Sequence, residues 1–239
     1  MVSRAIRSAH RRVTRRGRNV SNVTTLLLVR HGRTRLNAAG TLAGWTPGIG
    51  LDEAGRTQAA ELAARLTKTQ LAAIVTSPLQ RCVETVAALA HAGVAAPEPV
   101  ADDRLGECHY GDWTGLSLVE LQAQPQWQTV QHYPSRAIFP GGEALADMQA
   151  RATAAIRHWQ RRVEVEHGAD AVWLICSHED VIKAILADVL GLHLDMFQRI
   201  TVRNAAATVV RFTAERPYVL RLNDSGAQLL EFGKTSGST

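Results

Sequence analysis

From Thr24 onward the apolar positions follow two patterns in alternation. Short unbroken apolar or β-branched runs fall at residues 25–29, 71–76 and 171–176. Runs of that length without alternation read as strands buried on both faces. Between them the apolar residues recur at a helical period. Residues 51–68 place Ala59, Leu62, Ala63 and Leu66 on one face, and residues 143–166 do so with Leu145, Met148, Ala152, Ile156, Trp159 and Val163. A further helix over 180–190 ends at Gly191, and two closing strands are expected at 206–212 and 218–222, around a turn at 214–216.

Local punctuation refines these boundaries. Ser77-Pro78 reads as a helix start, with Ser77 as N-cap and proline in the first turn, and Gly93 as its end. Ser117 and Glu120 have the spacing of a capping box for a short helix over 116–124. Residues 125–142, with three prolines and two adjacent glycines, are expected to form a loop. Strands separated by helices imply an α/β fold: a three-layer sandwich, its mostly parallel sheet covered by helices on both faces. The expected organisation is a basic extension over 1–23, one domain over 24–223, and a Gly/Ser/Thr-rich flexible tail over 224–239.

Charge changes the picture only at the N-terminus. The formal net charge is +5, yet residues 1–22 hold seven arginines and no acid, so the remainder carries −2. Nucleic-acid binding would therefore concern only that arm. It reads as an extension outside the fold, or as sequence upstream of the true start; its composition also fits a transit peptide. No apolar run approaches the roughly 18 residues of a membrane span, so no membrane partner is expected. Cys82, Cys108 and Cys176 form no C-x-x-C pair and no zinc spacing. They suit a reducing, cytoplasmic setting as small buried residues, with Cys108 and Cys176 flanking the candidate pocket.

In open α/β sheets, ligands bind beyond the carboxyl ends of the strands. After the first buried run come Arg30-His31-Gly32. After the second come Ser77-Pro78, with Arg81 in the next turn, and after the third come Ser177-His178-Glu179. Two histidines and two arginines should therefore share one rim. Guanidinium groups bind phosphate oxygens bidentately and stay charged. They also lower a neighbouring histidine's pKa, so its nitrogen stays free to attack phosphorus.

These residues lie in segments that resemble the histidine phosphatase superfamily, which includes the cofactor-dependent phosphoglycerate mutases. Arg30-His31-Gly32-Arg33-Thr34-Arg35-Leu36-Asn37 resembles its R-H-G-x-T-x-x-N signature. Ser77-Pro78-Leu79-Gln80-Arg81 through Thr85, Glu107 through Gly115, Phe139-Pro140-Gly141-Gly142-Glu143, and Cys176-Ser177-His178 resemble four further segments in family order. The likeness spans about residues 24–223. In its C-terminal third, including Arg216-Pro217-Tyr218-Val219-Leu220, it is closest to actinobacterial phosphomutase-like members.

The resemblance implies roles. His31 would be the nucleophile that becomes phosphohistidine. Arg30, Arg81 and His178 would form the phosphate pocket, with Asn37 as a further donor. Glu107 would protonate the leaving oxygen; an alkoxide leaves poorly, so a positioned acid is needed. The implied function is hydrolysis of a small phosphorylated metabolite, with no cofactor and no metal. A mutase is the alternative, and a catalytically weak phosphate sensor a third reading. Residues 116–139 carry one basic residue, Arg136, and no lysine, which is poor provision for a mutase's substrate carboxylate. One position departs from the pattern: the segment usually reads S-H-G, and here Glu179 follows His178. Glu179 is expected to turn outward, where the helix N-terminus favours its charge.

Overall fold

The computed structural model describes residues 23–226. Its centre is a six-stranded sheet in the order β3-β2-β4-β1-β5-β6. The strands are β1 (Thr24–Arg30), β2 (Ala73–Thr76), β3 (Val100–Ala101), β4 (Val172–Ser177), β5 (Ala207–Phe212) and β6 (Pro217–Asp224). β1, β2, β3 and β4 run parallel, and β5 pairs antiparallel with both β1 and β6. The mostly parallel sheet expected from the sequence is present.

Period-two geometry sorts each strand's side chains between two cores. Leu27 and Val29 of β1 and Leu174 and Cys176 of β4 face Leu62, Leu66, Val86 and Leu89. Those partners come from α2 (Glu53–Leu66) and α3 (Gln80–His91), which follow the single turn of α1 (Arg35–Ala38). Leu26, Leu28, Trp173 and Ile175 face the other way, onto Met148, Ile156, Ile182 and Ile185. After the short α4 (Leu118–Gln122) and α5 (Trp127–His132), these belong to α6 (Leu145–His167) and α7 (Glu179–Leu190), the latter ended by Gly191 in the left-handed region. Helices on both faces make the three layers.

Two local expectations need correction. Residues 125–142 are not a plain loop. They contain a helix at Trp127–His132 and a 3-10 turn at Pro134–Arg136, secured by burial of Val130 and Pro134. Ser77 is not a helix cap either: α3 begins at Gln80 behind Leu79, which makes no side-chain cap bond. The capping box of Ser117 and Glu120 is formed, at the head of the Leu118–Gln122 helix. The expectations for residues 1–22 and 227–239 lie outside the described residues, and β6 continues to Asp224. Among the described residues, no helix is long and apolar enough to cross a membrane.

Register places the chemistry. Arg30 pairs with Ser177 and Thr76 with Cys176, so β1, β4 and β2 end at one level. The next backbone amides continue the ladder: His31 N–H donates to the Ser177 carbonyl at 3.0 Å, and Ser77 N–H to the Cys176 carbonyl at 2.9 Å. His31, Ser77 and His178 are thereby delivered side by side. The turn after His31 is locked against α2. A Cβ on Gly55 would lie 2.0 Å from the Arg33 carbonyl oxygen, and one on Gly32 would lie 2.6 Å from the Gly55 oxygen. Both obstacles are backbone and cannot swing aside. Alanine would favour an isolated helix over glycine by about 1 kcal/mol, yet Gly55→Ala should destabilise the protein by about 1–3 kcal/mol through overpacking. Chemical denaturation measures this, and a stability gain in the variant would show that the contact is slack.

Candidate active site

Five of the six residues expected from the sequence converge on one hollow above the strand ends. His31 and His178 are 2% and 0% exposed, with ring centroids 5.2 Å apart. Arg81 is 1% exposed. Its Nη2 donates to the Gly44 carbonyl at 2.9 Å, and among the described residues no carboxylate pairs with it within 4.0 Å. An unpaired buried guanidinium costs several kcal/mol of desolvation, so such a group implies an anion that arrives from outside. Arg30 Nε and His178 Nδ1 are buried and, among the described residues, have no hydrogen-bond partner, so both are free to donate.

Electrostatics follow from this crowding. Burial first, then Arg81 and Arg30, hold the His31 imidazole well below its usual pKa. His31 Nδ1 lies 2.7 Å from the Gly32 carbonyl, so it carries the hydrogen and leaves Nε2 with its lone pair free. The His178 imidazole is also held well below its usual pKa, by burial, then Arg81, then His31. His178 Nε2 lies 2.8 Å from Ser77 Oγ and 3.6 Å from Cys82 Sγ.

Glu107 closes the other side. Its Oε2 lies 3.7 Å from His178 Nδ1, and its Oε1 accepts from Cys108 N–H at 3.0 Å. Burial, and next the negative charge of Asp180, raise its pKa to about 7. Asp180 accepts from the Tyr110 hydroxyl at 2.8 Å. Arg151 donates to the Glu107 carbonyl and is paired with Glu143 of the P-G-G-E segment at 2.6 Å. The Trp45 indole also donates to the Glu107 carbonyl, at 2.6 Å.

Asn37, the sixth residue, is half-buried at the end of a single helical turn, Arg35–Ala38. Its Oδ1 accepts from the Thr34 backbone and hydroxyl, completing a capping box. The oxygen is committed to the fold, so the Nδ2 end is the one left to donate. Glu179 does not turn outward as expected. Its Oε2 lies 2.5 Å from Arg30 Nη1, and its Oε1 lies 2.7 Å from Lys183 Nζ. Pairing with two cations outweighs a helix-end interaction of about 0.3–1 kcal/mol. All three cysteines are buried free thiols. Cys108 adjoins Glu107, and the Cys82 thiol also reaches the site, 3.6 Å from His178 Nε2.

Several site residues escaped the sequence reading. Ser77 was assigned to a cap but supports His178. Thr85 Oγ1 accepts from Gly32 N–H at 3.0 Å and donates to the Arg81 carbonyl at 2.6 Å, tying the two arms of the hollow together. Asn204 Nδ2 donates to the His31 carbonyl at 3.1 Å. Among the described residues, no group of three or more His, Cys, Asp or Glu is arranged to hold a metal.

The sequence profile of the histidine phosphatase superfamily (branch 1) matches residues 26–225. The chain belongs to that superfamily. It is an enzyme of the phosphomonoesterase type. Phosphoserine phosphatase 1 of Hydrogenobacter thermophilus is 29% identical over 205 residues, covering 83% of this chain and 91% of that one. A glucosyl-3-phosphoglycerate phosphatase of Mycolicibacterium vanbaalenii is 33% identical over 177 residues, covering 72% and 77%. The solved structure of Bacillus stearothermophilus YhfR superposes with a TM-score of 0.75 at 28% identity, over 88% of this chain and all of that one.

The raised pKa of Glu107 makes a stability prediction for this histidine phosphatase. A carboxyl whose folded-state pKa exceeds its unfolded value destabilises the fold progressively as pH rises between the two values. The cost is absent below about 4.5 and complete above about 7. Glu107→Gln should therefore gain stability relative to the wild type across that window, reaching a few kcal/mol (~3) at pH 8. Melting curves of both proteins from pH 4 to 8 measure the difference. A difference that shrinks as pH rises would contradict the burial argument.

Proposed function

We propose that the protein hydrolyses a small phosphomonoester in two steps through a phosphohistidine on His31. The observation that carries this reading is the Nδ1-tethered His31, held toward its neutral form by burial, Arg81 and Arg30, beside the unpartnered Nε of Arg30 and Nδ1 of His178. In the first step the Nε2 lone pair of His31 attacks phosphorus. The ester P–O bond breaks, and Glu107 gives its proton to the departing oxygen. In the second step water attacks the phosphorus. The Glu107 carboxylate takes the water's proton, the P–N bond breaks, and its electron pair returns to Nε2.

The remaining groups hold the phosphoryl oxygens. Arg81 and Arg30 offset the charge that gathers on the equatorial oxygens, the kind of stabilisation worth about 3–4 kcal/mol per donor. Ser77 directs its hydroxyl hydrogen to Nε2 of His178, which leaves the Nδ1–H of His178 to donate to phosphate. Asn37 adds its Nδ2. Hydrolysis is favoured over phosphoryl transfer to a second metabolite by residues 116–139, whose one basic residue, Arg136, is exposed and stacks over Tyr133. The arginines supply the positive charge a metal would bring, so no metal is invoked. The three free thiols fit a cytoplasmic setting.

Two measurements test this. His31→Ala should lose turnover of p-nitrophenyl phosphate by on the order of 10³-fold or more. It should form no acid-labile phosphoprotein and should keep its circular dichroism spectrum. Covalent label persisting in the variant would refute the nucleophile. Because Glu107 must be protonated to donate, kcat/KM for an alkyl phosphate should be level below about pH 7 and fall about tenfold per unit above it. Glu107→Gln should lower kcat/KM, which reports only the steps up to the phosphohistidine, about 10²–10⁴-fold for such a substrate, and much less for p-nitrophenyl phosphate with its good leaving group. An equal loss on both would remove Glu107 as the acid. Parallel assays with 3-phosphoglycerate and a bisphosphoglycerate primer report any isomerisation, the mark of a mutase.

A further inference from the structure

Glu179 occupies the position where the family segment resembled here has glycine. Its carboxylate bridges two cations, Arg30 at 2.5 Å and the largely buried Lys183 at 2.7 Å. Lys183 is further shared with Asp180 at 3.9 Å and Gln198 at 3.4 Å. Arg30 Nη1 has a second acceptor, the Val202 carbonyl, at 2.7 Å. One corner of the guanidinium is thus committed, while Nε stays buried and unpartnered. The backbone carbonyl anchors the fork whether or not a carboxylate stands beside it. Holding Arg30 in place is therefore not what Glu179 adds.

What Glu179 adds is negative charge next to a cation that faces phosphate. The pair also lines an open groove with Arg203 and Asn204, and Glu179 is about one-third exposed, so water attenuates but does not remove its field. We propose that Glu179 sets phosphate affinity: it is a built-in counter-anion on Arg30 that weakens the pocket's hold on inorganic phosphate and so eases product release. The inference rests on Arg30 being a phosphate ligand, as proposed above. It deepens that reading by naming the residue that tunes grip on the anion shared by substrate and product. Lys183 acts in the opposite sense, drawing part of the carboxylate's field away from Arg30.

The test is inhibition by orthophosphate, with KM and kcat for p-nitrophenyl phosphate measured beside it. In Glu179→Gln and Glu179→Gly the orthophosphate Ki should fall about fivefold, a change typical of partly exposed charge pairs. KM should fall in step, and kcat should not rise. In Lys183→Met, Ki should rise. Circular dichroism and melting curves establish that each variant is folded. A Ki unchanged or raised in both Glu179 variants overturns the inference, because a merely positioning or structural carboxylate would loosen the pocket when removed. Arg30→Ala separates the two levels of the argument. If it raises Ki while the Glu179 variants do not lower it, only the role of Glu179 fails. If wild type is not inhibited by orthophosphate and Arg30→Ala leaves KM unchanged, the phosphate pocket itself fails, and this inference with it.

Discussion

Arg81 is a cation with almost no water and, among the described residues, no carboxylate to pair with, and the site is organised around that unmet charge. A guanidinium in such surroundings is tolerable only where neighbouring dipoles are fixed and an anion can arrive. Here the Gly44 carbonyl accepts from it, and Thr85 binds its backbone while also binding Gly32 of the His31 turn. The same charge presses both imidazoles toward neutrality. It opposes the burial and Asp180 effects that push Glu107 upward. Beside burial, one cation therefore helps set the protonation states of His31, His178 and Glu107.

The sheet makes that arrangement rigid. Arg30, Ser177 and Thr76 end their strands in register, and the following residues inherit their positions from backbone hydrogen bonds. Side chains on short loops could wander by more than the tolerance of an in-line attack, whereas strand ends in a packed parallel sheet do not. The contact of Arg33 with Gly55 extends this rigidity one turn beyond the sheet, from His31 to the head of α2.

This dependence on register explains what could be read from the sequence. Unbroken apolar runs identified β1, β2 and β4, and the rule that sites lie beyond strand carboxyl ends brought His31, His178, Arg30 and Arg81 together without coordinates. The misses share a cause. Ser77 before Pro78 carries every local mark of a helix cap, but its partner is His178, 101 residues away. The field of its own helix predicts an outward Glu179, whereas Arg30 at the end of β1 and Lys183 one turn on hold its carboxylate. The helix at Trp127–His132 lies between prolines in a polar stretch, and tertiary burial of Val130 secures it where propensity does not. Local signals fail where a distant partner outbids them.

The side of the site formed by the Gly44-Trp45 turn is built differently. The Gly44-Trp45 turn touches both ends of the chemistry: its Gly44 carbonyl accepts from Arg81, and its Trp45 indole donates to the Glu107 carbonyl. The Trp45 ring stacks on exposed His109 at 4.5 Å, and Gly106 lies so close beneath it that a Cβ there would sit 2.2 Å from the ring. A substrate group pressing on this stack would load a turn that is bonded to Arg81 and to the Glu107 backbone. Contacts with the leaving group would thus reach the reacting atoms through two hydrogen bonds. Substitutions in this loop should then alter turnover together with selectivity, since the wall that shapes the substrate also holds the catalytic backbone.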